Sequence, residues 1–462
     1  MSDWNDRRVT VLGMARSGLA VAQVLSAKGA QVIVSDARPE SELRELIAQL
    51  PEGVQVETGG HSSACLDADL IVVSPGVPQH LPILQAAQAD GVEVIGEIEL
   101  AYRLAHAPLV AITGTNGKTT TTTLVGEILK AAGKRAPVGG NIGVPLVSLA
   151  ETDADYLVAE VSSFQLETVS SLKPHVAVWI NFSDDHLNRH GSREAYWEAK
   201  KRLFAKMGPN DWAILNADDP TIAPLIGVLP TRSLPFSRNG DLREGLVLAE
   251  GWLVHRSKAG DEPILPVSDI QLRGAHNLEN CLAAAAVGVA LGLPKEAIAR
   301  TIREFKGVEH RIEPVTTIDG VQYFNDSKGT NYDSTIKAIE SFTEPLVLIA
   351  GGRDKGGAIA PLVEAIQARV RHVVLLGEAA PYFERVLRAG GYETLTLASD
   401  LDEAIHLAHR RAEAGGVVLF SPACTSFDMF TNYEERGRVF KDLVRKMALE
   451  PREAHTDGHP VA

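Results

Sequence analysis

Cysteine is scarce in this sequence: Cys65, Cys281 and Cys424 are the only three in 462 residues. They are far apart and odd in number, so no disulfide framework or Cys-x-x-Cys metal pair can be read, and a reducing compartment is expected. Long apolar runs are missing too. The longest, CLAAAAVGVALGLP (281–294), is too short for a bilayer, which needs about 20 apolar residues. The opening MSDWNDRRVT is polar and runs straight into a strand-like segment, unlike a signal peptide. A cytoplasmic protein without membrane insertion is the expectation. There is also no excess of basic charge; the formal net charge is -14. A general nucleic-acid binder needs a basic face, so no nucleic-acid partner is expected. Any anionic substrate must be held by a few placed lysines, arginines and helix N-termini.

What is present is a βαβ rhythm. RVTVLG (8–13), QVIVSD (31–36), LIVVSPG (70–76) and VEVIG (92–96) alternate with amphipathic stretches. This predicts an α/β fold with parallel sheets. HAPLV (106–110) interrupts the pattern, which restarts with LVAITG, YLVAEVSS (156–163), HVAVWIN (175–181) and WAILN (212–216). GVEHRIEPV (307–315) marks a second break, followed by PLVLIAGG, HVVLLG, TLTLAS and GVVLFSPA. Length and pattern predict three domains: 1–106, 107–308 and 309–462. The polar end of the chain is expected to be frayed.

The segment AITGTNGKTTTTT (111–123) carries the clearest chemistry. The usual phosphate loop is Gly-x-x-x-x-Gly-Lys-Ser/Thr, yet position 112 is Ile112 where that spacing asks for glycine. The context is still strand, turn, helix. Gly114, Thr115, Asn116 and Gly117 can curl round phosphate oxygens, with Thr120 in the helix's first turn. The helix N-terminus offers free N–H groups. Lys118 supplies a point charge for the β- and γ-phosphates, and Thr119 a hydroxyl for Mg²⁺. A chance Gly-Lys-Thr in a glycine-rich turn is the plainer reading; the flanking strand and helix favour a variant loop. Glu160 ends the next strand, and Asp184, Asp185, His186 and His190 follow the one after. In an open parallel sheet these strand ends converge on one edge.

The first domain poses an ambiguity. Gly13-Met14-Ala15-Arg16-Ser17-Gly18, with Asp36 ending the second strand, nearly matches a dinucleotide fingerprint. Ala15 stands where the middle glycine belongs, and its methyl would obstruct a pyrophosphate. A helix N-terminus at Ser17-Gly18 can still take a phosphate, and Ser74-Pro75-Gly76 can form the facing wall. A nicotinamide-dependent dehydrogenase is the runner-up, and a slow ATPase without ligation a third reading.

Taken in order, ITGTNGKTT, GGNIG (139–143), EVSSFQLE (160–167), DHLNRHG (185–191), HNLENCLAA (276–284), HRIE (310–313), NDSKGTN (325–331), GGRDKG (351–356) and SPACTSFDMF (421–430) resemble the ATP-dependent Mur ligase family over almost the whole chain. GEIEL (96–100), NDSKGTN and SPACTSFDMF look most like the branch that adds D-glutamate to UDP-N-acetylmuramoyl-L-alanine in peptidoglycan precursor synthesis. The Asp-Asn-Pro-Arg expected of the diaminopimelate-adding branch is absent. Asn-Gly-Lys-Thr is the family's own form of the phosphate loop, which accounts for Ile112.

The resemblance implies an N-terminal Rossmann-like domain for the UDP-sugar, a central P-loop domain for ATP and a C-terminal Rossmann-like domain for the amino acid. Ser17 and Gly18 would meet the diphosphate, Asp36 and Arg38 lie near the uracil, and Ser74 and Gly76 enclose it. Asn141 and Ser162 would contact the substrate further along. Two Mg²⁺ ions would be held by Thr119, Glu160, His186 and a lysine carbamylated by CO₂, with Lys118 neutralising phosphate charge. Lys200 and Lys201 both fit that lysine; the spacing of four from Tyr196 favours Lys200. Asn277 or Asn280, Arg311, Asp326 and Lys328 would serve ATP. Thr330, Lys355, Ser426, the Phe427 backbone and Tyr433 would receive D-glutamate. Tyr433 and Phe427 depart from the family's usual Phe and Leu. A monomer that closes on its ligands is implied.

Overall fold

The computed structural model describes residues 4–240 and 242–449, and the polar chain end lies outside the described residues. The chain forms two compact units, residues 1–271 with 277–305, and residues 272–276 with 306–462.

The first unit opens with a five-stranded sheet: β1 (Arg8–Leu12), β2 (Gln31–Asp36), β3 (Gln55–Thr58), β4 (Leu70–Val73) and β5 (Glu93–Gly96). The order is β3-β2-β1-β4-β5, all parallel. β4 reads as a continuous apolar run and β1 is buried from Val9 to Leu12, as expected of strands covered on both faces. Those helices are α1 (Arg16–Ala27), α2 (Glu40–Ile47), α3 (Pro82–Ala89) and α4 (Glu97–Leu104). The strand order reverses between β1 and β4, and the clefts of open α/β sheets lie at such reversals.

A six-stranded parallel sheet follows in the same unit. Its strands are β6 (Leu109–Thr113), β7 (Val138–Gly140), β8 (Leu157–Glu160), β9 (Val176–Trp179), β10 (Trp212–Leu215) and β11 (Arg232–Ser233), in the order β11-β10-β9-β6-β8-β7. Between them run α5 (Lys118–Ala131), α6 (Ser163–Leu166), α7 (Leu187–His190) and α8 (Arg193–Lys201). α5 begins KTTTTT, a poor helix former on intrinsic propensity because β-branched residues lose side-chain freedom. Tertiary burial overrides this: Thr120, Thr121 and Thr122 are buried. A small sheet of β12 (Phe236–Ser237), β13 (Gly245–Ala249), β14 (Trp252–Ser257) and β15 (Gly260–Pro266) comes next, then α9 (Ala275–Ala290) and α10 (Lys295–Glu304). α10 buries Ile298 and Ile302 on the face it turns to α5 and β15. Each such side chain contributes about 1.5–3 kcal/mol.

The GEIEL turn fastens the first sheet's last helix to the second sheet. The Glu99 carboxylate accepts the backbone N–H groups of Ser170, Ser171 and Leu172 at 3.0–3.1 Å, while Glu97 accepts that of Val147 at 2.8 Å.

The second unit is one six-stranded sheet. It contains β16 (Glu313–Ile318), β17 (Val321–Asn325), β18 (Leu346–Gly351), β19 (Val370–Leu376), β20 (Leu395–Leu397) and β21 (Val417–Phe420) in the order β16-β17-β21-β18-β19-β20. Only β16 is antiparallel to its neighbour. Helices α11 (Tyr332–Glu340), α12 (Ala360–Arg369), α13 (Ala380–Ala389), α14 (Leu401–Arg411) and α15 (Tyr433–Leu449) complete it. This unit takes up the chain at Lys306, and residues 272–276 group with it. The reason is Arg273, whose guanidinium pairs with Glu344 at 2.7 Å and lies over Phe324 and Phe342. Among the described residues, no helix is long and apolar enough to cross a membrane.

Candidate active site

The loop after β6 takes its shape from side chains behind it. Asn181, just past β9, accepts the N–H groups of Thr115 (3.0 Å) and Asn116 (2.9 Å) on its Oδ1 and donates to the Asn116 carbonyl. Gly117 caps α5 in the left-handed region at φ +82°, and an added Cβ would lie 2.2 Å from the Asn280 Oδ1. Glycine is required there on both counts. Asn280 is itself held by the Asn277 amide at 2.9 Å, and both are buried. These two asparagines therefore back the loop from α9. Ile112 is a fully buried β6 residue that pairs with Glu160 across the sheet.

Around the loop sit most of the residues expected for metal and phosphate. The Thr119 hydroxyl donates to Glu160 Oε2 at 2.7 Å, and Asn141 donates to Glu160 Oε1 at 2.7 Å. Glu160 is thus held between the two side chains at the end of β8. The Lys118 ammonium bonds the Gly114 and Thr115 carbonyls at 3.0 and 2.7 Å, and Lys200 bonds the same Gly114 carbonyl at 2.7 Å. Lys200 is 1% exposed. Burial first, then the Lys118 charge, push its pKa well below the usual lysine range, against weaker support from Asp185 and Glu160. Lys201 lies on the surface over Trp197, 3.7 Å from Glu198. His186 is half-exposed at φ +56°, with its ring 3.5 Å from Asp185 and edge-on to Phe164. Thr120 is buried in α5 behind the loop. Asp184 points outward to Arg193, and His190 bonds the Ser163 hydroxyl at 2.9 Å and Glu167 at 3.2 Å.

A cleft of about 650 Å³ opens where the first sheet reverses its strand order. Ser17, Asp36, Arg38, Ser74, Gly76 and Asn141 all line it. Gly18 lies beneath: an added Cβ would come 1.9 Å from the Gly13 carbonyl, so glycine serves close helix–strand packing here. The Asp36 carboxylate is opposed by burial, but hydrogen bonds from Arg38 and from the Met14 N–H outweigh it and hold the pKa at about 2. With its oxygens so engaged, Asp36 is poorly placed for a dinucleotide ribose. Ser162 caps α6 in a reciprocal arrangement with Gln165, another cleft residue.

In the second unit, Lys355 reaches Thr330 at 3.4 Å. The loop bearing Lys355 pairs with the loop bearing Ser426 through Arg353 and Thr425, at 2.9 and 3.1 Å. Ser426 is buried and Phe427 is 62% exposed. The Lys328 ammonium lies over the Tyr433 ring at 5.2 Å. Asp326 accepts the Ser421 hydroxyl at 2.7 Å and the Ile312 N–H at 3.2 Å. Burial pushes its pKa up to about 6, against the pull of Arg311. The Arg311 Nε has no hydrogen-bond partner among the described residues although it is buried.

Family models cover the chain in three consecutive stretches: the Mur ligase MurD-like N-terminal domain at residues 7–96, the Mur ligase middle domain at 112–288, and the Mur ligase glutamate ligase domain at 310–424. Two curated proteins, each named UDP-N-acetylmuramoylalanine--D-glutamate ligase, are 46% identical. The one from Pelotomaculum thermopropionicum matches over 96% of this chain and 98% of its own length, that from Koribacter versatilis over 96% and 99%. The chain belongs to the Mur ligase family. Solved structures agree on the fold. UDP-N-acetylmuramate-alanine ligase MurC from Thermotoga maritima has a TM-score of 0.59 at 21% identity, covering 96% of this chain and 100% of its own. MurF from Acinetobacter baumannii has 0.60 at 19%, covering 95% and 93%.

Other side chains that shape these loops had no role assigned from the sequence. Asn181 shapes the phosphate loop, and its only signal was its place at a strand end. Tyr196, buried in α8, stacks near Lys200 and meets the Thr115 hydroxyl at 3.2 Å. Arg436 is buried in α15 and bonds the Ser327, Cys424 and Thr425 carbonyls at 2.8–3.1 Å. It ties the NDSKGTN and SPACTSF loops together, yet in sequence it is one arginine among several on a polar helix.

Proposed function

We propose that this Mur ligase joins D-glutamate to UDP-N-acetylmuramoyl-L-alanine with ATP, a step of peptidoglycan precursor synthesis. One observation carries this: near-identical length and 46% identity with ligases of that name. The loop–Glu160–Lys200 cluster supplies chemistry that suits it.

In the mechanism we infer, an L-alanyl carboxylate oxygen attacks the γ-phosphorus of ATP. The bond to the β-phosphate oxygen breaks, giving an acyl phosphate and ADP. The D-glutamate amine then attacks the carbonyl carbon. The tetrahedral intermediate expels inorganic phosphate, and the amine loses its proton. Little covalent chemistry falls to the protein, so positioning and charge neutralisation dominate.

Gly114 to Thr120 cradle the phosphates, with Lys118 swinging from its loop carbonyls to the transferred group. Asn277 and Asn280 hold the loop in shape. Arg311, Asp326 and Lys328 offer ATP a cation, an acceptor and a second cation. Thr119, Glu160 and His186, with a carbamylated Lys200, would hold Mg²⁺, which would neutralise phosphate charge. The donor set fits: Thr119, Glu160 and His186 offer a hydroxyl, a carboxylate and an imidazole, and burial beside Lys118 disfavours the ammonium form of the neighbouring Lys200. A neutral amine can add CO₂ to become a carbamate, turning a repelled cation into an anion beside the metals. Ser17, Arg38, Ser74 and Gly76 take the nucleotide, with Gly18 packed beneath them, and Asn141 and Ser162 the remainder of that substrate. Thr330, Lys355, Ser426, the Phe427 backbone and Tyr433 take the two D-glutamate carboxylates. The soluble, nucleotide-linked substrate fits a cytoplasmic enzyme.

The test is phosphate release from ATP and Mg²⁺ with the nucleotide-sugar and a panel of amino acids. The expected result is release that depends on D-glutamate, with a matching mass gain on the sugar. Release driven by another amino acid would move the specificity, and release independent of both substrates would sink the reading.

A further inference from the structure

The nucleoside end of the cleft must read both donors and acceptors. Uracil presents two carbonyl acceptors around an imide N–H, and ribose presents hydroxyl donors. Arg38 can supply donors only. Asp36 is the expected acceptor, but its capacity is spent. Oδ1 accepts the Arg38 N–H (2.9 Å) and Nε–H (3.0 Å), and Oδ2 accepts the Met14 N–H (2.7 Å) and Arg38 Nη2 (2.8 Å). A carboxylate has about four lone-pair positions, and all are taken from within the chain.

His61 lines the same cleft. The Ser35 hydroxyl lies 2.8 Å from its Nδ1 and 3.1 Å from the Gly60 carbonyl. A carbonyl can only accept, so the arrangement that satisfies all three groups runs one way: Nδ1–H donates to Ser35, and Ser35 donates to Gly60. Were Ser35 to donate to Nδ1 instead, its lone pairs would face those of the carbonyl. In the neutral ring this places the proton on Nδ1 and leaves Nε2, on the far edge, as an acceptor. Nε2 has no partner among the described residues.

We propose that His61 Nε2 accepts a hydrogen bond from the nucleoside of the UDP-sugar, and that His61 supplies the acceptor half of nucleoside recognition while Asp36 positions Arg38. This rests on the functional reading above. It makes His61 a specificity residue: cytosine, which carries no proton at N3, lacks the imide donor.

The experiment is displacement of UDP by CDP, N3-methyl-UDP and 2′-deoxy-UDP, with wild type, His61→Phe and His61→Gln. Wild type is expected to prefer UDP about tenfold over an analogue that lacks the donor. His61→Phe should weaken UDP by the same factor and bind that analogue unchanged. His61→Gln, which retains an acceptor, should recover part of the preference. Loss of preference with N3-methyl-UDP and CDP assigns the imide, and loss with 2′-deoxy-UDP alone assigns the ribose; either supports the acceptor role. In turnover, His61→Phe should raise KM for the nucleotide-sugar and leave kcat and the melting temperature near wild type. Undiminished discrimination in His61→Phe overturns the proposal while the ligase reading stands. Failure of wild type to bind UDP overturns both.

Discussion

At the scale of single residues, burial sets two adjacent lysines apart. Lys200 is enclosed beside Lys118, and its ammonium form is disfavoured; Lys201 is solvated. Lys200→Met should therefore lower kcat by about 100-fold or more, the scale of losing one preorganised charged group. Lys201→Met should stay close to wild type. Carbon NMR after equilibration with labelled bicarbonate should give a carbamate signal in wild type and Lys201→Met but not in Lys200→Met. A signal that survives in Lys200→Met would reassign the modified lysine. Asp36 yields a pH prediction. Its folded pKa, about 2, lies below the ordinary 3.8, so the ionised form is preferred in the fold. That stabilisation is present above about pH 4 and is lost as pH falls towards 2; it amounts to about 2 kcal/mol. Urea midpoints of wild type and Asp36→Asn should differ most near neutrality and converge as pH falls from 4 to 2. A gap independent of pH would show that the charge of Asp36 contributes nothing.

At the scale of elements, the candidate-site loops are held by side chains from other parts of the chain. Gly117 tolerates no side chain because α9 places Asn280 against it. Gly117→Ala should force the loop or α9 to shift, raising KM for ATP by about tenfold or more and destabilising by about 1–3 kcal/mol. Relief of the ATP defect by Asn280→Ala in the same chain would separate this clash from the backbone strain at φ +82°. In the second unit, Arg436 bonds the carbonyls of two loops from inside α15. Arg436→Met should leave buried carbonyls unpartnered, cost about 2–4 kcal/mol, and raise KM for D-glutamate more than for the nucleotide-sugar. Equal effects on both Michaelis constants would argue against a local role.

At the scale of the whole molecule, each compact unit has its own buried core, and opening of one need not accompany opening of the other. The three cysteines are free and buried, so they report on this directly: Cys65 and Cys281 lie in the first unit and Cys424 in the second. Thiol labelling along a urea gradient, read by mass, should leave all three protected in the native state. Cys65 and Cys281 should then become reactive at one midpoint and Cys424 at another. A single midpoint for all three would mean the units unfold as one.

The sequence by itself determined the features that arise from neighbours along the chain. The βαβ rhythm, the three-part division and the strand–turn–helix around Lys118 were legible because hydrophobic period, Gly placement and strand ends are local properties. Thr119 and Glu160 were nameable for the same reason, Asn141 only through the family resemblance, and the structure brings the three within hydrogen-bond reach. Tertiary structure alone decided what depends on enclosure and on partners distant in sequence. It buried Lys200 and left Lys201 at the surface, grouped Arg273 with the second unit through Glu344, and revealed Arg436 as a buried tie. It also filled the oxygens of Asp36 from Met14 and Arg38 and turned His61 to Ser35. Hydrogen-bond capacity and desolvation are set by which groups the fold brings together, and that information is not carried by any one segment.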